Sequence, residues 1–262
     1  MRQIPIESFG KQLILTQDLD PVYVMLNALP MLERKRWCVA YWLYYSAGVA
    51  SVCVDAGDKF WPKAESYLSS GPRGAERRHF RGAVAAKSIR LFREGFPKPE
   101  AFPEHLSQVE GQLSFVSLSK RVRQQYGFGE WLSFKVCDMM ERCLQYPILA
   151  HDCIDTWYRD PVLGAEMACE EWGVKPSNIC SYAEARLINK IGHLKAPPHN
   201  DRLINSQEVE TVLCKWKSHR HGHYYIGKDT KDVNESLQRF PGGTSFVLQK
   251  ALAPLVSQFR LL

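Results

Sequence analysis

Apolar residues recur along this chain at helical spacing, and the alternation expected of half-buried strands is scarce. Asp20-Pro21 opens a first helix that runs to Leu29 and stops at Pro30, since proline suits the first turn of a helix and disrupts its interior. A second helix starts near Met31 and carries a block of aromatics to about Val54. Within it Trp37, Tyr41, Tyr44 and Tyr45 fall at i, i+4, i+7 and i+8, one helical face. Residues 57–81 look mixed, a helix follows over 82–94, and Pro97, Pro99 and Pro103 mark a loop. Further helices are predicted over 113–125, 130–145, 161–172, 178–191, 206–219 and 246–256. The fold class is therefore all-α. Residues 1–195 are read as a helical core and 196–262 as a helical extension packed on it. The connecting stretch, 193–203, is short enough that the two can also form one domain.

Composition narrows the class without naming a function. With 45% hydrophobic and 24% charged residues, a chain of 262 residues is globular and can bury a core without disulfides or metal. A net charge of +6 permits phosphate contacts but does not require them. Eight cysteines are scattered with no C-x-x-C pair, and residues 1–10 hold no apolar run of a signal peptide. Reduced thiols in a cytoplasm are the expectation. The longest uncharged apolar stretch, residues 37–54, contains Ser, Gly and five Trp or Tyr rings. It reads as a core helix, so no membrane partner is expected.

Three segments carry candidate chemistry. In residues 125–152, Gly127 and Gly129 stand between two amphipathic helices. Glycines there permit a left-handed turn and leave N–H groups of the next helix free to face a phosphate, the logic of a helix-hairpin-helix. A plain helix connection is the alternative. Residues 147–152 (PILAHD) are similar to the Pro-x-x-x-x-Asp segment that follows the hairpin in DNA glycosylases, whose aspartate faces the extruded nucleotide. Here Asp152 lies somewhat farther from the glycines than in that pattern, which implies a short insertion and leaves Asp155 as a substitute. Lys135, Asp138 and Arg142 share a face of the second helix, either as a solvated stripe or as an ion-pair platform presenting Lys135 to an anion.

Residues 71–81 (GPRGAERRHFR) pack Arg73, Arg77, Arg78 and Arg81 around His79. Planar, always-charged guanidinium forks suit phosphate oxygens, so the segment reads as a DNA clamp or a pyrophosphate cradle, with inert surface as the third option. Residues 214–225 (CKWKSHRHGHYY) tempt a zinc assignment through Cys214, His219, His221 and His223, but the spacing fits no zinc finger. A DNA-contacting edge of Lys215, Trp216, Lys217, Arg220 and Tyr224 suits those residue types better.

Together these stretches resemble the amino acid:DNA transferase family of bacteriophage thymine-hypermodification pathways. The resemblance is carried by residues 36–51, Phe60-Trp61, 72–82, 126–142 and 215–227, and runs from about residue 20 to 235. It implies a helix-hairpin-helix scaffold like that of DNA glycosylases. It also implies an enzyme that joins a free amino acid to the 5-methylene of pyrophosphorylated 5-hydroxymethyluracil in DNA, releasing pyrophosphate. An upstream phage kinase would supply that DNA, in the cytoplasm of a bacterial host. On this view the base is flipped into a pocket, where Trp131 and Tyr126 are candidates to stack on it. Arg73, Arg77, Arg78, Arg81 and Lys135 would neutralise the leaving group, and Asp152, Asp138 or His79 would take the proton of the amine. Gly127, Gly129, Lys215, Trp216, Lys217 and Arg220 would hold the DNA. No metal ligand set is evident, and whether Mg²⁺ accompanies the pyrophosphate stays open, as does the choice of amino acid. Two alternatives remain: a base-excising DNA glycosylase on the same scaffold, and a non-catalytic DNA-binding module.

Overall fold

A computed structural model of the chain describes residues 4–69, 71–74, 80–109 and 111–259. Among them, regular structure is almost wholly helical: two strands of two residues each, Leu113–Ser114 (β1) and Ile148–Leu149 (β2), pair in parallel. The first seven helices are α1 (Ile6–Leu15), α2 (Pro21–Leu26), α3 (Met31–Tyr44), α4 (Ala47–Asp55), α5 (Phe60–Ser66), α6 (Gly82–Gly95) and α7 (Ala101–Ser107). There follow α8 (Phe115–Arg123), α9 (Glu130–Arg142), α10 (Arg159–Glu171), α11 (Ile179–Ile191), α12 (Ser206–Arg220), α13 (Lys228–Arg239) and α14 (Gly243–Phe259). The all-α class expected from the periodicity holds.

Three features depart from the expectation. The aromatic helix over 31–54 is broken in two. Tyr45 turns left-handed (φ 49°) and Ser46 restarts the chain as an N-cap, its hydroxyl accepting the Val49 N–H at 3.5 Å. The proline loop at 97–103 contains α7, which tolerates Pro103 because it stands in the first turn, where no helical N–H bond is lost. Helices α1 and α13 have no counterpart in the predicted elements. In α13 the apolar signal is thin, with Val233 and Leu237 among charged residues.

Burial divides the side chains into two hydrophobic clusters. The larger gathers α2 to α9 with α13 and α14 and is rich in aromatics; the smaller gathers α1, α10, α11 and α12. The segment after residue 195 is thus shared between them, α12 packing on α1 and α10 while α13 and α14 pack on α2 and α4. Where α4 crosses α13, a Cβ on Gly48 would stand 2.2 Å from the Ser236 carbonyl oxygen, so only glycine allows the approach. Asp18 fixes the start of α13, accepting the N–H groups of Gly227 (2.6 Å) and Thr230 (3.1 Å) and the Thr230 hydroxyl (2.7 Å). These contacts place α13 beside the α3–α4 junction, and the candidate site opens between them. Among the described residues, no helix is long and apolar enough to cross a membrane.

Candidate active site

A cavity of about 500 Å³ opens where the start of α2, the α3–α4 junction, residues 72–74 and the first turns of α13 converge. One wall is aromatic. Trp37 stacks on Tyr41 (4.7 Å between ring centroids), Tyr45 packs against Tyr41 at a tilt of 35° (4.5 Å), and Trp131 of α9 meets Tyr45 edge-on (4.7 Å). Tyr41 and Tyr45 face the cavity, and Trp131 is half-buried behind Tyr45. The left-handed turn at Tyr45 ends α3 and so brings the last two rings of the column to the cavity mouth.

The second wall is the described start of the arginine-rich segment. Arg73 lies over the Tyr44 ring at 5.2 Å and donates to the carbonyls of Leu68 (2.8 Å), Tyr67 (3.3 Å) and Gly71, closing the C-terminal end of α5. Those partners are neutral, and among the described residues no carboxylate pairs with it. Its Nε–H is buried with no hydrogen-bond partner there. Burial pulls its pKa down. The cation is therefore fixed in the wall of the cavity. Arg81, the residue before α6, is exposed. Arg77, Arg78 and His79 lie outside the described residues.

Behind the cavity runs a seam of buried charge that joins α9 of the large cluster to α12 of the small one. Asp20 lines the cavity and pairs with Arg142 (3.1 Å) and Lys135 (3.5 Å). Arg142 also reaches Asp138 and Glu208 (both 3.4 Å) and donates to the Pro197 carbonyl. Asp138 accepts from the Tyr23 hydroxyl (2.6 Å) and the Gln207 amide (3.1 Å). Burial opposes ionisation of Asp20, but Lys135, Arg142 and Lys215 together hold its carboxyl below the usual range. In Asp138, burial wins and the carboxyl is pushed up. Lys135, Asp138 and Arg142 therefore do not form a solvated stripe: they lie inside the protein, and Lys135 meets Asp20 rather than facing the cavity as an anion platform would require. Deeper on α12, fully buried Glu210 is pushed up to about 7 by burial, against the pull of Lys135.

The glycine hairpin stands on the far side of Trp131. Gly127 is left-handed (φ 85°) and Gly129 precedes α9 with no side-chain cap on that helix. The loop is tied to α6 by the Ser88 hydroxyl, which donates to the Tyr126 carbonyl at 2.8 Å. Tyr126 is exposed, with the Lys87 ammonium over its ring at 4.4 Å. Lys87, Lys120 and Arg123 are exposed around this loop.

Other expected site residues are engaged elsewhere. The Asp152 carboxylate accepts the N–H groups of Phe115 (3.0 Å) and Val116 (3.3 Å), capping the N-terminus of α8, and does not line the cavity. The edge expected over 215–220 is largely turned inward. Trp216 is fully buried and donates to the Ile4 carbonyl (3.0 Å). Lys215 reaches Asp229 (2.6 Å) and the Asp18 carbonyl (2.7 Å), Lys217 pairs with Asp160, and Arg220 pairs with Glu171. His219 is buried against Phe9, and no group of three His, Cys, Asp or Glu among the described residues is placed to hold a metal. Cavity residues that sequence reasoning missed are Asp20, Tyr23, Lys228 and Asp229. The only signal for Asp20 is its place before Pro21, which reads as a helix start; Asp229 lies in α13, which the periodicity does not reveal.

The cavity is thus bounded by an aromatic column, a fixed guanidinium and the carboxylates of Asp20, Asp229 and Asp232. The family described as amino acid:DNA transferase matches residues 20–225, which includes every wall of the cavity up to the start of α13. The chain belongs to that family and is a transferase. It is similar to a glycinyltransferase of Pseudomonas phage PaMx11, 34% identical over 89% of this chain and 90% of that protein. It is also similar to a putrescinyltransferase of Delftia phage PhiW-14, 29% identical over 93% of this chain and 81% of that protein.

Proposed function

We propose that this transferase joins the amino group of a free amino acid to the 5-methylene of a pyrophosphorylated 5-hydroxymethyluracil in DNA, with release of pyrophosphate. The observation that carries the proposal is the shared cavity: residues 72–74 of the arginine-rich segment, Tyr41 and Tyr45 of the aromatic column, and Asp20 of the charge seam all face one space of about 500 Å³. A base drawn out of a duplex needs an aromatic surface to replace its lost stacking, and Tyr45 with Trp131 behind it supplies one. Pyrophosphate leaves readily only when its growing charge is met by fixed cations. Arg73 is such a cation, and Arg77, Arg78 and Arg81 follow in the same segment. The relatives' names, glycinyl- and putrescinyltransferase, have a primary amine in common, which supports an amine nucleophile here.

For the DNA itself, we assign the surface around the Gly127–Gly129 hairpin, with Lys87, Lys120 and Arg123 meeting phosphates. This face adjoins the cavity through Trp131, so a nucleotide leaving a duplex held there would arrive beside Tyr45. A pyrophosphorylated base requires an upstream kinase acting on DNA, which places the reaction inside an infected bacterial host. The test is mass spectrometry of nucleosides from pyrophosphorylated DNA incubated with the protein and each amino acid in turn, with pyrophosphate measured in parallel. An amine adduct with matching pyrophosphate supports the reading. Abasic sites would replace it with a glycosylase, and unchanged DNA would refute it.

A further inference from the structure

The cavity has two ends of unlike chemistry. Arg73 stands at one; Asp20 and Asp229 stand at the other, where α2 meets the start of α13. Of this second pair, Asp20 is nearly enclosed (11% of its side chain accessible) and shared between Lys135 and Arg142. Asp229 keeps 38% of its side chain accessible and pairs with Lys215 at 2.6 Å. At this end the acids Asp20, Asp229 and Asp232 line the cavity together with Lys228, and Lys135, Arg142 and Lys215 stand behind them. Acids that line an open cavity favour a cationic ligand there. Burial and the nearby Asp18 and Asp20 also push the Asp229 carboxyl up, against Lys215, so it binds a proton more readily than a surface aspartate.

We propose that the Asp20–Asp229 end of the cavity receives the ammonium group of the nucleophile, and that Asp229 is the catalytic residue that accepts its proton. This rests on the amine-transfer reading above. In the step, the ammonium N–H bond breaks and its proton goes to an Asp229 carboxylate oxygen. The freed nitrogen pair forms the C–N bond to the base methylene. The C–O bond to pyrophosphate breaks, its electron pair leaving with the pyrophosphate oxygen at the Arg73 end; the second amine proton is lost to solvent. Asp138 and Glu210 are fully buried and do not line the cavity, and Asp20 is held ionised by its cations. Of the two accessible acids of the lining, Asp229 and Asp232, each paired with a lysine, Asp229 is the one that stands beside Asp20 with its carboxyl pushed up by burial. The groups facing Asp229 are Lys215 from α12, Asp18 and Asp20 from the α1–α2 connection, and Tyr224 and His223 from the α12–α13 connection, with Lys228 and Asp232 on its own helix.

The test measures steady-state transfer to pyrophosphorylated DNA with two probes: glycine, a strongly basic amine, and aminoacetonitrile, a weakly basic one that is largely unprotonated at neutral pH. Asp229→Asn is expected to lower kcat/KM for glycine by about 10²-fold at neutral pH. It should also make the rate climb with pH toward the range where glycine loses its own proton. Its use of aminoacetonitrile and its KM for DNA should stay within about threefold of wild type. Asp229→Glu should recover part of the glycine rate, and it is also read if the Asn variant fails to fold. Glu235→Gln, on the exposed side of α13, is the charge control and should match wild type. An Asp229→Asn protein with wild-type kcat/KM and pH profile for glycine overturns the proposal, as does an equal loss with both amines in either variant. If wild-type protein transfers neither amine, the amine-transfer reading falls with it; if wild type transfers and the variants are unaffected, only the role of Asp229 falls.

Discussion

Two stretches of this chain are alike in composition and opposite in placement. Residues 214–220 of α12 hold three cations and a tryptophan, and the surface made by α6 and the α8–α9 hairpin holds Lys87, Lys120, Arg123 and Tyr126. In α12, Val209, Val212, Leu213 and Trp216 recur at i, i+3, i+4 and i+7, and the stripe they form is buried. Its lysines flank that stripe and find acids across it, in Asp229 and Asp160. In α6 the buried stripe is Ala85, Ser88, Ile89 and Phe92, and in α8 it is Phe115, Leu118, Ser119 and Val122. There Lys87, Lys120 and Arg123 fall on the opposite side and stay exposed. Register against the apolar stripe makes the difference: Lys215 and Lys217 lie beside it, largely covered and paired with acids, whereas Lys87, Lys120 and Arg123, the last paired with Glu130 at 3.4 Å, stand in solvent.

The largest effect expected from this contrast is at Trp216. If α12 is a core helix, Trp216→Ala removes a fully buried indole and should destabilise the fold by about 3–5 kcal/mol. Chemical denaturation measures the loss. In the same protein, at a temperature where it remains folded, the salt dependence of DNA binding should be unchanged. A stable Trp216→Ala protein with weakened DNA binding would restore α12 as the contact surface.

A second prediction sharpens the inward character of α12 through pH. The Glu210 carboxyl stands at about 7 in the folded chain against an ordinary 4.5. Between those values the folded state holds a proton that the unfolded chain releases. This group's contribution is therefore fully present below about 4.5 and is lost as pH rises through about 7. Glu210→Gln should remove that slope and leave the variant more stable than wild type at pH 8, by on the order of 2 kcal/mol. Denaturation midpoints from about pH 4 to pH 8 check it; parallel curves for the two proteins would mean that Glu210 titrates normally.

The hairpin side of the contrast is tested by charge reversal. Lys87→Glu with Arg123→Glu should leave stability within about 0.5 kcal/mol. It should flatten the dependence of log K on log salt by roughly 0.9 for each phosphate that the variant no longer neutralises. Lys217→Glu should leave that slope alone. The opposite pattern would exchange the roles of the two surfaces.

Much of this architecture is legible in the sequence, and the failures have physical causes. Helices with a full apolar stripe, such as α8, α9, α11 and α12, stand where the periodicity predicts them. Helix α13 escapes detection because Asp18, a residue some 200 positions away in the chain, supplies the cap and its apolar signal is two residues wide. The break at Tyr45 is invisible because an aromatic gives no sign of a left-handed turn, as glycine does. At the site, the chemistry of residues 72–74 and the aromatic column is readable from residue type. The partners of Lys135, Asp138 and Arg142 are not, since Asp20, Gln207 and Glu208 reach them only through tertiary packing.

The smallest expected effect separates the two hairpin glycines. At Gly127, φ is 85° and the nearest heavy atom to an added Cβ is the Ser88 hydroxyl at 3.5 Å, an ordinary contact. Space is therefore not limiting, and Gly127→Ala should cost the strain of the left-handed backbone alone, about 1–2 kcal/mol. At Gly129, φ is −89° and an added Cβ meets nothing within 4 Å. Gly129→Ala should cost about 0.5 kcal/mol, because alanine is a poorer N-cap than glycine. Its methyl group would nevertheless stand at the mouth of the α9 N–H groups, where a phosphate must come close. Denaturation should thus register Gly127→Ala more strongly, while DNA affinity should register Gly129→Ala more strongly than its small stability loss explains. If neither glycine affects DNA binding, the hairpin is a plain helix connection, and the cations of α6 and α8 hold the duplex without it.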